Sequence, residues 1–500
     1  MTTTTSTTTG SISSAGLGSG LDVKSIISSL MAVESQPLTL LQNKATSVQT
    51  EISAVGQINS LTSALSDKAH ALSSSTLWTQ TTSTSADTSS VTADTSGGTA
   101  AAGDYSVSVS QLAQGQTVTT TSTAGATLSA GTITIQLGTY KTDSTTTPPT
   151  TTFLANGSPA PAITIGPGDT SLASIRDKIN AANAGVSASI INDANGARLS
   201  LRSTTTGASN AFQITATEAT PDADPATGLS ALNFDGSSAA TGSQMVLNQS
   251  ALNAKAQVNG IDIESATNKL TNVADGLSLT LLKKTDQPID VTVAIDKDSM
   301  QKAIQNFVSA YSALQSYISL QTKYDGGTAP AAGTSRKDGP LEGDPSIVGF
   351  QNQLRAVVNT TSSTSALYAR LSDIGIAVQK DGTLSIANST KLTASLNNPG
   401  ELQKLFATQG TTDANTGIAV RFATMADRAT ALDGALYSRN QGLQGEISRN
   451  QKQQDDMQTH LDATQARLTA QYQALDTTMS KMSALSSYVT QQVALMQKSG

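Results

Sequence analysis

The 500-residue sequence offers few side chains with which to do chemistry. It has no cysteine, which removes thiol nucleophiles, Cys-ligated zinc, iron–sulfur clusters and disulfides together. Its two histidines, His70 and His460, lie far apart in segments with helical spacing, so a multi-histidine metal site is excluded. His70 follows the core-type position Ala69 and His460 precedes the apolar Leu461. Both read as ordinary helix side chains, because acid–base catalysis needs partners within hydrogen-bond reach. Gly16-Leu-Gly-Ser-Gly20 precedes a helix as phosphate cradles do, but it follows no strand and lacks the Lys-Ser/Thr of a P-loop. It reads as a flexible joint ahead of an N-cap at Asp22. Asp222, Asp224 and the Asp381-Gly382 turn are fragments of calcium loops without the full ligand spacing, and they read as solvated turns. No spacing nominates a Ser–His–Asp site or a carboxylate pair. The expectation is a structural protein with no cofactor and no metal, not an enzyme.

Composition narrows the partners. Charged residues make up 13% of the chain, against about 25% in an ordinary soluble domain. Aromatics are 3%, with Trp78 the single tryptophan, and Ser, Thr, Asn and Gln do the solvating. A net charge of −7 argues against a phosphate-binding surface, so no nucleic acid is expected. No run of 18 apolar residues could span a bilayer, so no membrane insertion is expected. The Thr- and Ser-rich start, Met1 to Gly10, lacks the basic and apolar stretches of a secretory signal. That pattern suits a cytoplasmic protein and equally one exported unfolded without a cleaved signal.

The elements that must position any surface are helical at both ends. After Asp22, residues Val23, Ile26, Ile27, Leu30 and Met31 share one helical face. Pro37 marks a break or the first turn of a new helix. A heptad pattern follows: Leu38, Leu41, Ala45, Val48, Ile52 and Val55, then, after a register shift, Ile58, Leu61, Leu65, Ala69 and Leu72. Near the other end, Ile447, Gln454, Leu461, Leu468, Leu475, Met482, Val489 and Met496 recur every seven residues, and all but Gln454 are apolar. The companion register, from Leu443 and Asn450 through Met457 and Thr464 to Gln492, is mostly polar.

Between residues 77 and 295 the period changes to two. Tyr105–Val109, Ile133–Leu137 and Ile163–Ile165 alternate as strands do. A helix with Leu172, Ile175 and Ile179 opens after Asp169. Asn195-Gly196 and Asn259-Gly260 each sit between strand-like runs and predict hairpins. The stretches 141–152 and 218–245 read as long loops or subdomain boundaries. Helical spacing returns with Ile304, Phe307, Val308, Tyr311, Leu314 and Ile318, and again from Ile347 to Val358. The predicted fold class is therefore α+β and multidomain: a coiled-coil stalk made by both termini, a mostly helical leg domain, and a β-rich insertion of one or two small domains.

Several of these segments resemble the flagellar filament cap family, also called hook-associated protein 2. Gly16-Leu-Gly-Ser-Gly-Leu-Asp22 and Met31-Ala-Val-Glu-Ser-Gln-Pro37 look like its opening signature. Asp104-Tyr-Ser-Val-Ser-Val-Ser-Gln-Leu-Ala-Gln114 is similar to a strand motif of flagellar axial proteins. Asn306-Phe-Val-Ser-Ala-Tyr311 resembles the helix after the insertion, with Ser312 where the family commonly has Asn. Leu371-Ser-Asp-Ile-Gly-Ile376, Lys380-Asp-Gly-Thr-Leu384, Leu405-Phe406, and Tyr472 to Met496 resemble its later blocks.

The resemblance implies a structural cap at the distal tip of the bacterial flagellar filament, secreted through the flagellar export apparatus. It implies a homopentameric plate that retains exported flagellin and promotes its folding and insertion. The implied partners are further copies of the chain, flagellin, hook-associated junction proteins and an export chaperone. Alternatives are a hook–filament junction protein, or a tip adhesin that binds host mucin or glycan through the insertion. The expected division is a terminal coiled-coil domain (1–42 and 436–500), a helical leg (43–76 and 296–435), a β-rich head (77–122 and 246–295) and a second β-rich head (123–245). Ile447, Leu461, Leu468, Leu475, Met482, Val489 and Met496 are the expected oligomer or filament contacts. Gly16, Gly18, Gly20 and Pro37 are the expected hinges.

Overall fold

The structure, a computed structural model, describes residues 22–498 except 122–127, 148–149, 223, 225, 237–243 and 326–337. Its helices are α1 (Val23–Glu34), α2 (Gln36–Ser73), α3 (Ser75–Thr79), α4 (Leu172–Ala182), α5 (Lys297–Gln321), α6 (Pro345–Asn359), α7 (Ser389–Ser395), α8 (Pro399–Ala407), α9 (Ile418–Thr430) and α10 (Ala435–Lys498). The chain divides into two compact units, residues 1–75 with 299–500 (unit 1) and residues 76–298 (unit 2).

Unit 2 is β-rich, and every strand pair in it is antiparallel. One five-stranded sheet runs Thr81–Ser85, Ile289–Ile295, Gly103–Gln111, Ala254–Val258, Ile261–Ser265. Val107, Val109, Val291 and Val293 from this sheet share a core with Leu277, Leu279 and Leu281 of a three-stranded sheet. A second core lies under two four-stranded sheets and α4. It holds Ile133, Ile135, Ile175, Ile179, Leu199, Leu201 and Phe212. Asn259 and Gly260 both take positive φ, 51° and 79°, the conformation a two-residue hairpin loop requires.

Parts of two stretches read in the sequence as long loops or subdomain boundaries are strand or core. Residues 141–143 and 150–152 extend a hairpin, with Lys141 opposite Thr152 and Thr142 opposite Thr151, because β-branched threonine suits an extended backbone. Within 218–245, Leu229, Leu232 and Phe234 are buried, so apolar residues spaced irregularly among Gly, Asp and Ser still close the core.

Unit 1 is built around α2, where six of the nine buried residues, Val48, Val55, Ile58, Leu65, Ala69 and Leu72, come from the predicted heptads, and Ala54, Thr62 and Ser66 are buried beside them. α9 packs on α2 through a face rich in small residues, Ala419, Ala423 and Ala426, and carries Phe422 into the core. There the Phe422 ring meets Phe307 and Tyr311 of α5 edge-on, with centroids 5.2 and 5.6 Å away. Ser312 donates through Oγ to the Leu384 carbonyl (2.7 Å) and accepts from the Leu384 amide (3.0 Å), tying α5 to a two-stranded hairpin (Ile376–Val378, Leu384–Ile386). One serine hydroxyl thus serves both as donor and as acceptor.

Pro37 begins a helix without breaking the line of the chain. It sits in the first turn of α2, where a missing N–H costs nothing. Ser35 keeps helical dihedrals, its amide donates to Met31 (2.9 Å), and the Thr39 amide donates to Ser35 (3.1 Å). The hydrogen-bond ladder therefore continues from α1 into α2.

Arg439, in the first turns of α10, clasps three elements. Its Nε donates to Asp344 Oδ2 (2.5 Å) and its Nη2 to Glu51 Oε2 (3.0 Å). Asp344, whose side chain is 4% exposed, uses its other oxygen to cap the Ser346 and Ile347 amides of α6. Burial raises the Glu51 carboxyl above its ordinary range, against the opposing pull of Lys44 and Arg439. Arg439→Met should therefore destabilise unit 1 by about 3 kcal/mol, because it leaves a buried carboxylate without its cation. Urea unfolding followed by helical circular dichroism checks this, and a loss under about 0.5 kcal/mol would contradict it.

Candidate functional site

The expected contact residues all fall on α10, a helix of 64 residues and so about 96 Å long. Its first half runs antiparallel to α2 and α1, and two ion pairs fix the register. Lys44 Nζ lies 3.0 Å from Glu446 Oε1, and Arg439 reaches Glu51 as described. In both pairs the two residue numbers add to 490. Val23, at the start of α1, therefore lies opposite about residue 467.

Burial along α10 follows from that register. Leu443 and Leu461 are buried, and Ile447, Met457 and Leu468 are half-buried. Leu461 thus packs within unit 1 and is not offered to another chain. The companion register, polar in the sequence, supplies much of the buried seam: Asn450 and Thr464 are 4% and 6% exposed. Asn450 stays satisfied by accepting from Gln454 Nε2 at 2.6 Å. A polar residue in a helical seam lowers stability and restricts register.

Past residue 468 the burial ends. Leu475, Met482, Val489 and Met496 are 46%, 63%, 52% and 70% exposed. Leu485 of the companion register, and Met479 and Val493, which lie in neither register, are exposed beside them. These seven side chains recur at steps of three and four, as the residues of one helical stripe do. Residues 481–491 are exposed on every side, so no described residue covers this stretch. The other expected hinge residues, Gly16, Gly18 and Gly20, lie outside the described residues.

Among the described residues a serine, a carboxylate and a histidine do come together, without catalytic geometry. Ser66 Oγ donates to Asp427 Oδ1 (2.5 Å), and His70 Nε2 lies 3.0 Å from Asp427 Oδ2. The carboxylate stands between serine and imidazole, so the serine has no base beside it, and a nucleophile needs one. The cluster ties α2 to α9. Asp222 accepts from the Asp224 amide and the Thr227 hydroxyl, and Asp381 accepts from Thr383 in the same manner. These hydrogen bonds hold both carboxyls below their ordinary range. No group of residues suited to holding a metal occurs among the described residues.

Residues 19–116 match the family model for the flagellar hook-associated protein 2 N-terminus, and residues 251–484 match that for its C-terminus. Residues 163–205 match the flagellin hook IN motif. Flagellar hook-associated protein 2 of Escherichia coli is 33% identical over 486 residues, covering 96% of this chain and 98% of that protein. Flagellar hook-associated protein 2 of Salmonella typhimurium is 35% identical over 343 residues, 67% of this chain and 69% of that protein. The crystal structure of the flagellar cap protein FliD from Escherichia coli is similar at 30% identity and a TM-score of 0.58, over 78% of this chain and 99% of that one.

The two halves of α10 should respond oppositely to the same substitution. Leu461→Asp places a charge in a packed seam and should cost about 3 kcal/mol or more. Met482→Asp, on the uncovered half, should change stability by less than about 0.5 kcal/mol. Equal losses in urea unfolding would contradict the division of the helix.

Proposed function

The chain belongs to the flagellar hook-associated protein 2 family, and from that premise we propose that it is the structural cap at the distal tip of the bacterial flagellar filament. The observation that carries this is the end-to-end match, at 33% identity, to a relative of which it covers 98%. The match is not confined to one domain. At 96% of the chain it takes in most of the helical unit and most of the β-rich unit.

The role is one of assembly, not of catalysis. The chain acts at the flagellum as a secreted protein, exported through the flagellar apparatus, with an export chaperone and hook-associated junction proteins as further partners. Copies of it assemble as a homopentamer. Unit 2, as two β-rich heads, forms the plate that retains flagellin and leaves space for each new subunit to fold and insert. The helical leg and the terminal coiled coil reach toward the filament. Two features support this reading: the uncovered apolar stripe from Leu475 to Met496 offers contact area to other chains, and the sparse charge along the chain keeps repulsion between packed copies small.

Cells lacking the gene should carry hooks without filaments and release flagellin into the medium, as seen by electron microscopy and by assay of the supernatant. Restoring the wild-type gene should restore filaments. Restoring the double variant Met482→Asp and Val489→Asp should not, although the purified variant remains folded. Full-length filaments in the deletion strain would overturn the cap reading, and filaments with the double variant would overturn the role given to the stripe.

A further inference from the structure

A groove of about 910 Å³ lies within unit 1 between α6 and α9. Phe350 and Val357 of α6 line one wall, and Arg421, Thr424 and Arg428 of α9 line the other, with Asp413 in the loop at its edge. Arg421, Thr424 and Arg428 fall at spacings of three and four, so they share a helix face.

Arg421 is held there in an incomplete state. It is 6% exposed, yet its guanidinium makes just two hydrogen bonds among the described residues, both 3.4 Å long and both to the Thr360 carbonyl. Its Nε is buried without a partner, and no described carboxylate lies within 4 Å. A guanidinium carries five N–H donors in a planar fork matched to a carboxylate. Burying one so poorly paired costs stability. Thr360 is the C-cap of α6, so the hydrogen-bond compensation among the described residues is two weak bonds to one helix-end carbonyl, with the Asp413 carboxylate adding attraction from beyond ion-pair distance. Arg428, two turns along, adds an exposed second cation to the same wall.

Charge balance says what fits. Unit 1, with the groove, holds 20 basic and 19 acidic residues, a balance of +1. Unit 2 holds 10 basic and 18 acidic residues, a balance of −8. A neighbouring copy therefore brings more carboxylates than its own cations can pair. A ring of more than two copies also needs two unlike patches that complement each other, not one patch that meets itself.

We propose that the α6–α9 groove is a subunit contact in which Arg421, assisted by Arg428, receives a carboxylate side chain from a second copy of this chain. The proposal rests on the oligomeric reading given above and adds the site. Pairing in the assembly makes up what the single chain lacks, so Arg421 costs the monomer stability and contributes to the contact.

The test is sedimentation velocity of the full chain at about 0.1 M and about 0.5 M salt, as wild type, Arg421→Met and Arg428→Glu, with thermal unfolding of dilute monomer alongside. Wild type should assemble, less so at high salt, and both variants should weaken assembly by about tenfold or more. Monomeric Arg421→Met should melt at the same temperature as wild type or higher, because it loses an unpaired buried charge. A helix-capping residue behaves oppositely: the melting temperature falls and assembly is unchanged, and that result would overturn the proposal. Arg428 is exposed, so Arg428→Glu keeps its fold, and its unaltered assembly would also overturn it. A wild-type chain that stays monomeric at its highest soluble concentration would overturn the oligomeric reading and the groove with it. Wild-type assembly with both variants unaffected would overturn the groove alone.

Discussion

Two ion pairs, Lys44 with Glu446 and Glu51 with Arg439, fix how the two ends of the chain run past each other. Their energy is modest, since partly exposed pairs contribute little. Their consequence is geometric. With the register set, α1 and α2 cover α10 from its start to about residue 467 and no further. The same helix is therefore a structural member over one half and an open surface over the other. The buried half carries Leu443, Leu461 and the polar Asn450 and Thr464, and the open half carries Leu475 through Met496. Arg439 also reaches Asp344, the N-cap of α6, so the residue that sets the register fastens α6 to it as well.

The β-rich insertion is compatible with this helical frame because it enters and leaves by neighbouring strands. Thr81–Ser85 pairs directly with Ile289–Ile295, Thr81 opposite Ile295, so the first and last strands of unit 2 close on each other. More than two hundred residues thus lie between α2 and α5 in the chain, bounded by two strands that pair with each other. Each of the two cores inside the insertion is complete in itself.

Much of this was legible in the sequence, for physical reasons. Heptad spacing gave α2, the three-four pattern from Ile304 to Ile318 gave α5, and Asn259-Gly260 gave its hairpin, because each signal is local. Asp22 caps α1 as its type predicts, accepting from the Ser25 amide at 3.0 Å. What stayed hidden depended on the partner across the interface. Asn450 and Thr464 belong to the companion register that read as mostly polar, and which of its residues are buried is decided by α1 and α2, not by their own spacing. The stretch 141–152 read as a long loop or subdomain boundary because Asp, Ser and Pro are turn-prone, and only cross-strand pairing makes 141–143 and 150–152 strand. Arg421 carried no sequence signal at all: one arginine on an amphipathic helix is ordinary until its Nε is seen to be buried and alone.

The claim on which the account depends is that α10 is divided near residue 468 between a half packed inside the chain and a half left for other chains. Hydrogen exchange read by mass spectrometry, on the full chain as dilute monomer and then in its assembled form, measures this directly. The account predicts strong protection of the 443–468 amides in both states, and fast exchange at 475–496 in the monomer that slows on assembly. Equal protection along the whole helix in the monomer, or no change at 475–496 on assembly, would contradict it.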